Sequence, residues 1–285
     1  MTGTKIIGLV LTFNEEINIV ECLKSISFCD KIMVFDSFST DQTKELALSF
    51  GADFLERKFD NYSNQRNAAI DSIPADFDWI LMIDADERIP LSLQKEIKEE
   101  ITSDSAVSMY LVRRKDIFLN RWLKHSSGYP TWFPRLFKKG DIIVEREINE
   151  EYTTTGEKKY LTNHLIHYPF NKGIKSWLKR HNEYSTMESS VLLKEYLDPI
   201  QWKYSLSKDP TLRRKFQKQL IYHLPFRPII IFFIFYFVKG GFLDGKAGYN
   251  FCRLRYVYEI MIDTKIQEIK AEKNVENFDS NGLLQ

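Results

Sequence analysis

The sequence predicts an α/β fold in which a mostly parallel central sheet is followed by C-terminal helices. Short apolar runs alternate with helical patterns over the first hundred residues, polar groups follow three of these runs, and helical spacing resumes beyond residue 170. Strands that alternate with crossover helices pair in parallel. The chain has 285 residues and is 44% hydrophobic, which suffices for one catalytic domain and an extension.

The predicted elements follow one another in a regular order. Apolar runs predict buried strands at 6–11, 31–35, 52–55 and 79–83. Helical spacing predicts helices at 15–27, 41–50, 63–72 and 92–101. Gly51 stands where a helix C-terminal cap residue belongs. The first hundred residues therefore predict a parallel sheet with crossover helices.

The rest of the chain divides into a domain end, a helical region and a tail. Residues 106–170 give short strand candidates at 107–113, 142–144 and 165–168 between irregular loops, and we expect them to form the acceptor side of a catalytic domain at 1–170. The spacing over 174–193 predicts a helix within a helical region at 171–270. A polar tail is expected at 271–285.

Residues 226–238 form a strongly apolar and aromatic segment. As a helix, these 13 residues would extend roughly 20 Å, which is shorter than the roughly 30 Å hydrocarbon core of a bilayer. Basic residues flank the segment. We therefore expect a helix that lies in the membrane interface without spanning it. A buried helix or a helix that contacts another copy of the chain is the alternative.

The charge and cysteine content exclude several classes of protein. The net charge is +1, but residues 1–110 contain 20 acidic and 10 basic residues, whereas 201–256 contain 2 acidic and 11 basic residues. This asymmetry suggests a metal-using front and an anion-facing back, with simple solvation as the alternative. Three cysteines without zinc-like spacing predict neither a zinc site nor a disulfide framework, and no signal peptide is evident. No nucleic-acid partner is expected, and a homo-oligomer stays possible.

Polar groups follow the predicted strands at the edge where an open parallel sheet binds ligands. Thr12, Asn14 and Glu15 follow the first strand, and Asp36 follows the second. The fourth strand is followed by Asp84-Ala85-Asp86-Glu87. In extended backbone, residues two apart point to the same side, and two carboxylates in one pocket repel unless a cation separates them. Mg²⁺ or Mn²⁺ with a bound diphosphate would relieve that repulsion.

Four motifs together resemble family 2 glycosyltransferases of the GT-A fold, which is Rossmann-like. They are Thr12-Phe13-Asn14-Glu15, Asp36-Ser37-Phe38-Ser39-Thr40-Asp41, Gln65-Arg66-Asn67 and Asp84-Ala85-Asp86-Glu87. Three further stretches resemble the lipopolysaccharide-core, WaaE-like branch of that family, and they extend the likeness over most of residues 5–260: Phe118-Leu119-Asn120-Arg121-Trp122-Leu123, Pro134-Arg135-Leu136-Phe137 and Gly240-Gly241-Phe242-Leu243-Asp244-Gly245.

The resemblance implies a function and a place in the cell. The expected reaction moves a hexose, with inversion, from a nucleotide-sugar, most simply a UDP-sugar. The expected acceptor is a lipid-linked saccharide or a lipopolysaccharide core. The expected location is the cytoplasmic face of a bacterial inner membrane, where the chain would be peripheral or monotopic.

The resemblance also implies roles for individual residues. Thr12, Asn14 and Glu15 would line the nucleotide pocket, and Asp36 would contact the base or ribose. Arg66 would hold the base, with Asn67 supporting its loop. Asp84 would face both ribose and metal, and Asp86 would ligate the metal. Without the resemblance, a surface ion pair for Arg66 and a loop cap for Asp36 are the alternatives.

The catalytic base and several accessory residues are predicted from chemistry. Inverting transfer needs a carboxylate that takes the acceptor proton, and Glu150 within Arg146-Glu147-Ile148-Asn149-Glu150-Glu151 is the candidate, although a solvated acidic run would look the same. His167 is a candidate third metal ligand, or else a hydrogen-bonded core histidine. Arg135 is a candidate for binding the diphosphate, or else a surface arginine. Trp122 and Trp132 would stack on sugar rings or lie in the core.

Two other functions compete with glycosyl transfer. A sugar-phosphate nucleotidyltransferase would need a Gly-rich loop with Arg and Lys after the first strand, and Thr12-Phe13-Asn14-Glu15 stands there instead. A nonenzymatic, membrane-recruited binding protein with a degenerate GT-A fold would not need the intact pair Asp84 and Asp86.

Overall fold

A computed structural model describes residues 3–103, 106–145, 151–195, 200–207, 210–224 and 226–282. The chain forms two compact units. The N-terminal unit comprises Met1–Lys124 and Gly128–Lys172, and the C-terminal unit comprises His125–Ser127 and Gly173–Gln285. The predicted α/β class, with a mostly parallel sheet followed by helices, is confirmed.

The first half of the N-terminal unit is a parallel sheet with crossover helices. Its strands lie in the order β3-β2-β1-β4 and all pair in parallel. They are β1 (Ile6–Thr12), β2 (Lys31–Asp36), β3 (Asp53–Glu56) and β4 (Trp79–Asp84). The helices are α1 (Ile19–Ser25), α2 (Thr43–Phe50), α3 (Tyr62–Asp71) and α4 (Leu91–Ile101). Apolar side chains cover both faces of this sheet, in two buried clusters, which is why its strands appear in the sequence as continuous apolar runs.

The second half of the unit extends the same sheet with mixed pairing, in the order β4-β8-β6-β11-β5. Strand β8 is antiparallel to both β4 and β6, whereas β6 and β11 are parallel. The strands are β5 (Glu87–Arg88), β6 (Val107–Phe118), β7 (Arg121–Trp122), β8 (Trp132–Lys138) and β11 (Glu157–His167). Strand β7 pairs with β6, and β9 (Ile142–Glu145) and β10 (Glu151–Thr154) form a separate ribbon.

Several elements differ from the prediction. Helix α1 begins at Ile19, because the backbone from Glu15 to Asn18 forms turns. Strand β8 was not predicted, since Pro134 within it argues against a central strand. Pro134 lies at a register shift in the pairing of β6 with β8, where Tyr110 pairs with Leu136 and Leu111 pairs with Pro134. Strands β10 and the polar start of β11 were also missed, because neither contains an apolar run.

The C-terminal unit is helical. It contains α5 (Gly173–Glu195), a 3₁₀ turn at Trp202–Tyr204, α6 (Pro210–His223), α7 (Arg227–Phe233), a π-helical turn at Ile234–Val238, a 3₁₀ turn at Gly241–Asp244 and α8 (Gly245–Gly282). Helix α8 therefore continues into the expected polar tail, 271–285. Gly248 permits a close approach within this unit, because a Cβ atom there would lie 2.1 Å from the carbonyl oxygen of Gly241.

Asp244 connects two distant parts of the sequence inside the C-terminal unit. Its carboxylate is nearly completely buried and accepts hydrogen bonds from the backbone N–H groups of His125 and Ser126, at 3.0 and 2.8 Å. The Ser126 hydroxyl also donates to it, at 2.7 Å, and the His125 ring nitrogen lies 2.8 Å away. These bonds satisfy a buried carboxylate and explain why 125–127 belongs to this unit.

Within the described residues, no individual helix has both the length and the apolar composition of a membrane span. The segments Arg227–Val238 and Gly241–Glu272 together have that length and composition, but the chain bends by 70° between them.

Candidate active site

The carboxyl ends of three neighbouring strands bring the predicted polar groups to one edge of the sheet. Thr12 on β1 is in register with Asp36 on β2, and Leu11 is in register with Asp84 on β4. This is the edge at which open parallel sheets bind ligands. The parallel register therefore assembles groups that lie up to about seventy residues apart in the sequence.

Asp36 is completely buried and fully engaged in hydrogen bonds. Its Oδ1 atom accepts from the hydroxyls of Thr12 and Ser39, both at 2.6 Å. Its Oδ2 atom accepts from the backbone N–H of Ser39, also at 2.6 Å. Asp36 therefore joins the end of β1 to the loop after β2.

Asn14 and Glu15 join the same loops from the β1 side. Asn14 has a positive φ of 53° and accepts through Oδ1 from the backbone N–H of Thr40, at 2.8 Å. The Glu15 carboxylate pairs with Lys172 and accepts from Asn18 at 2.9 Å. Burial raises the pKa of Glu15, and the attraction of Lys172 offsets this only in part. Lys172 also donates to the Phe13 carbonyl oxygen, which ties the end of the unit to the β1 loop.

Two arginines hold the carboxylate of Asp84. Arg66 of α3 donates to Oδ1 at 3.0 Å, and Arg135 of β8 donates to Oδ2 at 2.8 Å. Burial acts to raise the pKa of Asp84, but Arg135 and Arg66 outweigh it and hold that pKa below its usual range. Asp84 is 32% exposed, whereas the Arg135 side chain is 4% exposed. A charged carboxylate therefore faces the edge of the sheet while its guanidinium partners lie behind it.

Glu87 lies behind this pair and completes the charge balance. Its side chain is completely buried, and both of its oxygens accept from Arg135 at 2.8 Å. It also accepts from the backbone N–H of Asp84 at 3.2 Å, and Arg114 lies 3.9 Å away. Buried charges are stable only when they are paired and hydrogen-bonded. Glu87 therefore fixes Arg135, which in turn fixes Asp84.

Asp86 is connected to Glu87 through a series of charged side chains: His167, Asp116 and Arg114. Its Oδ2 atom lies 3.4 Å from Nε2 of His167, whose Nδ1 atom lies 2.6 Å from Asp116. Arg114 pairs with Asp116 at 3.0 Å. Burial and Arg114 act to lower the pKa of His167, but Asp86 and Asp116 outweigh them and raise it to about 9.

The geometry of the acidic pair differs from the sequence argument for it. Strand β4 ends at Asp84, and Asp86 lies in a turn. The alternation of side chains along a strand therefore does not extend from Asp84 to Asp86. Among the residues that the structure describes, no group of three or more His, Cys, Asp or Glu side chains is arranged to hold a metal ion. Arg66 and Arg135 bond Asp84, and the His167 ring lies beside Asp86.

Helix α3 supplies further groups to this edge. The Asn61 side chain caps its first turn by accepting from the N–H of Asn64. Gln65 donates to the Ser37 hydroxyl at 3.1 Å, and Arg66 reaches Asp84. Asn67 exchanges two hydrogen bonds with the backbone of Val144 in β9, at 2.8 and 3.0 Å. The motif Gln65-Arg66-Asn67 thus connects the helix to three neighbouring segments.

The structure describes every predicted site residue except one. Glu150 lies outside the described residues, so its role stays a prediction. Arg135, for which a surface position was the alternative, is buried. Sequence reasoning assigned no role to Glu87, Arg114 or Lys172. Glu87 comes directly after Asp86 in the sequence, and this position was the signal that could have identified it as a member of the site.

Comparison with known proteins gives a family and several relatives. The family model described as Glycosyl transferase family 2 matches residues 9–175. The lipopolysaccharide core biosynthesis glycosyltransferase LpsC of Rhizobium meliloti is 24% identical over 281 residues, which cover 95% of this chain and 96% of that protein. An uncharacterized glycosyltransferase of Rickettsia prowazekii is 27% identical over 208 residues, which cover 67% of this chain and 69% of that protein.

Solved structures give a partial match. The crystal structure of glucosyl-3-phosphoglycerate synthase from Mycobacterium tuberculosis in complex with Mn²⁺, UDP and glucosyl-3-phosphoglycerate matches with a TM-score of 0.34 and 20% sequence identity. The match covers 40% of this chain and 45% of that chain.

Replacing Arg135 by Met should destabilise the N-terminal unit by about 3–5 kcal/mol, because Glu87 would then be a buried charge without its main partner. Lys159→Met is the matched control, since Lys159 pairs with Glu100 at an exposed position and should cost about 0–1 kcal/mol. Urea denaturation followed by circular dichroism measures both changes. Equal stabilities of the two variants would contradict the role of the buried network.

Proposed function

The chain belongs to glycosyl transferase family 2, and from this membership we propose that it moves a hexose, with inversion, from a UDP-sugar to a lipid-linked saccharide or lipopolysaccharide core. The observation that carries the proposal is the set of charges at the carboxyl end of β4. There a carboxylate at the site edge, Asp84, is fixed by Arg66 and Arg135. A fixed carboxylate at this edge suits a divalent cation, through which the nucleoside diphosphate of the donor would bind.

Each predicted nucleotide-binding residue has a role in this proposal. Thr12, Asn14, Glu15 and Asp36 hold the loops after β1 and β2 in one arrangement, through the hydrogen bonds that they make to one another and to Ser39, Thr40 and Lys172. A pocket whose walls are fixed before binding loses little entropy when the nucleotide arrives. Arg66 and Arg135 hold Asp84 at the edge where the diphosphate would lie, and either guanidinium would meet the diphosphate only by exchanging its contact with Asp84.

Asp86 and His167 suit a divalent metal ion. A carboxylate and an imidazole nitrogen are donors that Mn²⁺ accepts, and carboxylate oxygens also suit Mg²⁺. Asp116 holds the other ring nitrogen of His167, at 2.6 Å, which is how proteins commonly orient a metal-binding histidine. Asp84 would reach the ion only by exchanging a contact with Arg66 or Arg135. A bound ion would supply positive charge that stabilises the departing nucleotide diphosphate.

The class of acceptor is inferred from a relative, and the catalytic base is inferred from the chemistry of the reaction. The likeness to the lipopolysaccharide core biosynthesis glycosyltransferase of Rhizobium meliloti extends over 95% of this chain, which supports a saccharide of that class as acceptor. In inverting transfer a carboxylate takes the proton of the acceptor hydroxyl while the bond to the sugar forms. We assign that role to Glu150.

The C-terminal unit supports a place at the membrane surface. Between residues 226 and 258 the sequence has one acidic residue, Asp244, and it is buried. Lys239, Lys246 and Arg253 are exposed there. Exposed apolar side chains accompany them: Phe226, Ile229, Phe233, Phe237, Val238, Phe242 and Leu243. Apolar side chains rimmed by cations suit the interface of an anionic leaflet, so we propose peripheral or monotopic attachment to the cytoplasmic face of the inner membrane.

Replacing Asp86 by Asn should weaken Mn²⁺ binding at least about ten-fold and reduce hexose transfer from UDP-sugars, because an amide is a poorer ligand than a carboxylate. Electron paramagnetic resonance measures the binding, and UDP release measures the reaction. Glu99→Gln, at an exposed position on α4, is the control. Unchanged metal affinity and activity in Asp86→Asn would exclude this metal site.

Replacing Glu150 by Gln should lower kcat for transfer by about 10²–10⁴-fold, because the amide cannot accept the acceptor proton. Binding of UDP should stay unchanged. Glu151→Gln is a matched control one residue away, where the carboxylate is exposed. Equal rates in the two variants would show that the base lies elsewhere.

Replacing both Phe237 and Val238 by Ser should release the protein from vesicles that contain phosphatidylglycerol, because it removes two exposed apolar side chains. Flotation in a density gradient measures the binding. Leu206→Ser is the control, since Leu206 is 91% exposed but lies outside the apolar segment. Retention of the double variant on vesicles, or its conversion from dimer to monomer, would point instead to a contact between copies of the chain.

A further inference from the structure

Strand β6 separates two chemically different surfaces of the N-terminal unit. Successive side chains of a strand point to opposite faces of the sheet. Arg114 and Asp116 pair with each other, and they contact Glu87 and His167 of the candidate active site. Arg113 and Lys115 therefore lie on the other face.

Tryptophans from two neighbouring strands lie on that second face. Trp122 of β7 is directly opposite Ile117 of β6, and Trp132 of β8 is directly opposite Arg113. Residues directly opposite each other in antiparallel strands share a face. Arg113 lies 5.9 Å from the Trp132 ring, and Lys115 and Lys124 lie 4.3 and 5.7 Å from the Trp122 ring. We call this surface the cation–tryptophan face: Arg113, Lys115, Trp122, Lys124 and Trp132.

The positive charges of this face are close together and lack an anionic partner among the described residues. Neither Lys115 nor Lys124 forms an ion pair within the described part of the chain. Two ammonium groups approach one indole ring, at Trp122. Burial, together with the repulsion of Arg113, lowers the pKa of Lys115. Like charges held together in this way favour the binding of an anion, which relieves their repulsion.

Two buried donors on the same face also await an acceptor. The indole N–H of Trp122 and the Nε–H of Arg113 are buried and form no hydrogen bond among the described residues, although the Nη2 atom of Arg113 donates to the Thr162 carbonyl oxygen. A buried donor without a partner costs about 1–3 kcal/mol. Both atoms are inaccessible to solvent, so a ligand oxygen would reach them only after neighbouring side chains had moved. The main indication of an anionic ligand is therefore the group of cations, of which Arg113 and Lys115 are partly exposed and Lys124 is exposed.

We propose that the cation–tryptophan face binds a phosphate-bearing saccharide and thereby anchors the acceptor away from the reacting hydroxyl. The proposal rests on the proposed function, because it identifies part of the acceptor of that reaction. Phosphate oxygens accept charge-assisted bonds from Arg113 and the two lysines. Trp122 and Trp132 are partly exposed, and the exposed parts of their rings can contact a sugar ring.

The donor nucleotide is a poorer occupant of this face. The charges that suit its diphosphate surround Asp84 and Asp86, and β6 contacts them through Arg114 and Asp116 on its opposite face. The cation–tryptophan face therefore contributes to acceptor affinity and leaves donor binding unchanged.

The test compares two forms of one ligand on two variants. The ligands are a lipid-free, phosphorylated core oligosaccharide and the same oligosaccharide after hydrofluoric acid has removed its phosphates. Titration calorimetry without donor gives the affinity of each for the full chain. The double variant Lys115→Ala/Lys124→Ala removes two cations, and Lys95→Ala/Lys98→Ala removes two exposed cations from α4 as the matched control. Trp122→Phe keeps an aromatic ring and removes the N–H donor.

We expect the wild type to bind the phosphorylated form about ten-fold more tightly than the dephosphorylated form. Lys115→Ala/Lys124→Ala should abolish that difference, Trp122→Phe should reduce it, and the α4 control should retain it. The same lysine variant should raise KM for the phosphorylated acceptor and leave the rate of UDP-sugar hydrolysis unchanged.

Three results would overturn the proposal. They are equal affinity of the wild type for both oligosaccharides, binding of inorganic phosphate as tight as that of the phosphorylated oligosaccharide, and loss of vesicle binding in Lys115→Ala/Lys124→Ala with unchanged oligosaccharide affinity. If the proposed hexose transfer is wrong but the cation–tryptophan face binds the saccharide, phosphate-dependent binding persists while no hexose is transferred from any donor. Failure of the proposed function can therefore be distinguished from failure of the proposed binding face.

Discussion

Charges buried at the end of β4 must be paired, and the candidate site depends on that pairing. Glu87 is completely buried, and Arg135 bonds both of its oxygens while also bonding Asp84. An uncompensated charge in such a place is costly enough to unfold a marginally stable domain. The same contacts that keep the fold stable therefore hold Asp84 charged and in place at the edge of the sheet, where a ligand would meet it.

The alternation of side chains along β6 gives the N-terminal unit two chemically different surfaces. Arg114 and Asp116 belong to the charge network that reaches His167, whereas Arg113 and Lys115 lie beside the tryptophans on the other face. We propose that the first surface binds a nucleotide-sugar with a metal ion and that the second binds an anionic saccharide. The C-terminal unit has a different chemistry, because aromatic residues and cations are exposed on it, and we propose that they contact a lipid surface.

Sequence reasoning succeeded where a local pattern had one physical explanation. The four parallel strands were predicted to within one or two residues, because strands buried on both faces are continuous apolar runs. It failed where the partner of a segment was remote. Strand β8 is central although it contains Pro134, and β11 begins with charged residues that pair with β6. The alternation assumed for Asp84 and Asp86 failed because the strand ends at the first of them.

The sequence by itself determined the α/β class, the strand ends that carry polar groups, the resemblance to a family and the apolar segment near the C-terminus. Each of these depends on residues that are close together in the chain, so composition and spacing suffice to find it. Only the tertiary structure decided that Arg135 is buried against Glu87, that Asp116 orients His167 and that Asp244 holds His125 and Ser126 in the C-terminal unit. These contacts join residues about 50 to 120 positions apart, and no local pattern encodes which buried charge will meet which partner once the sheet has formed.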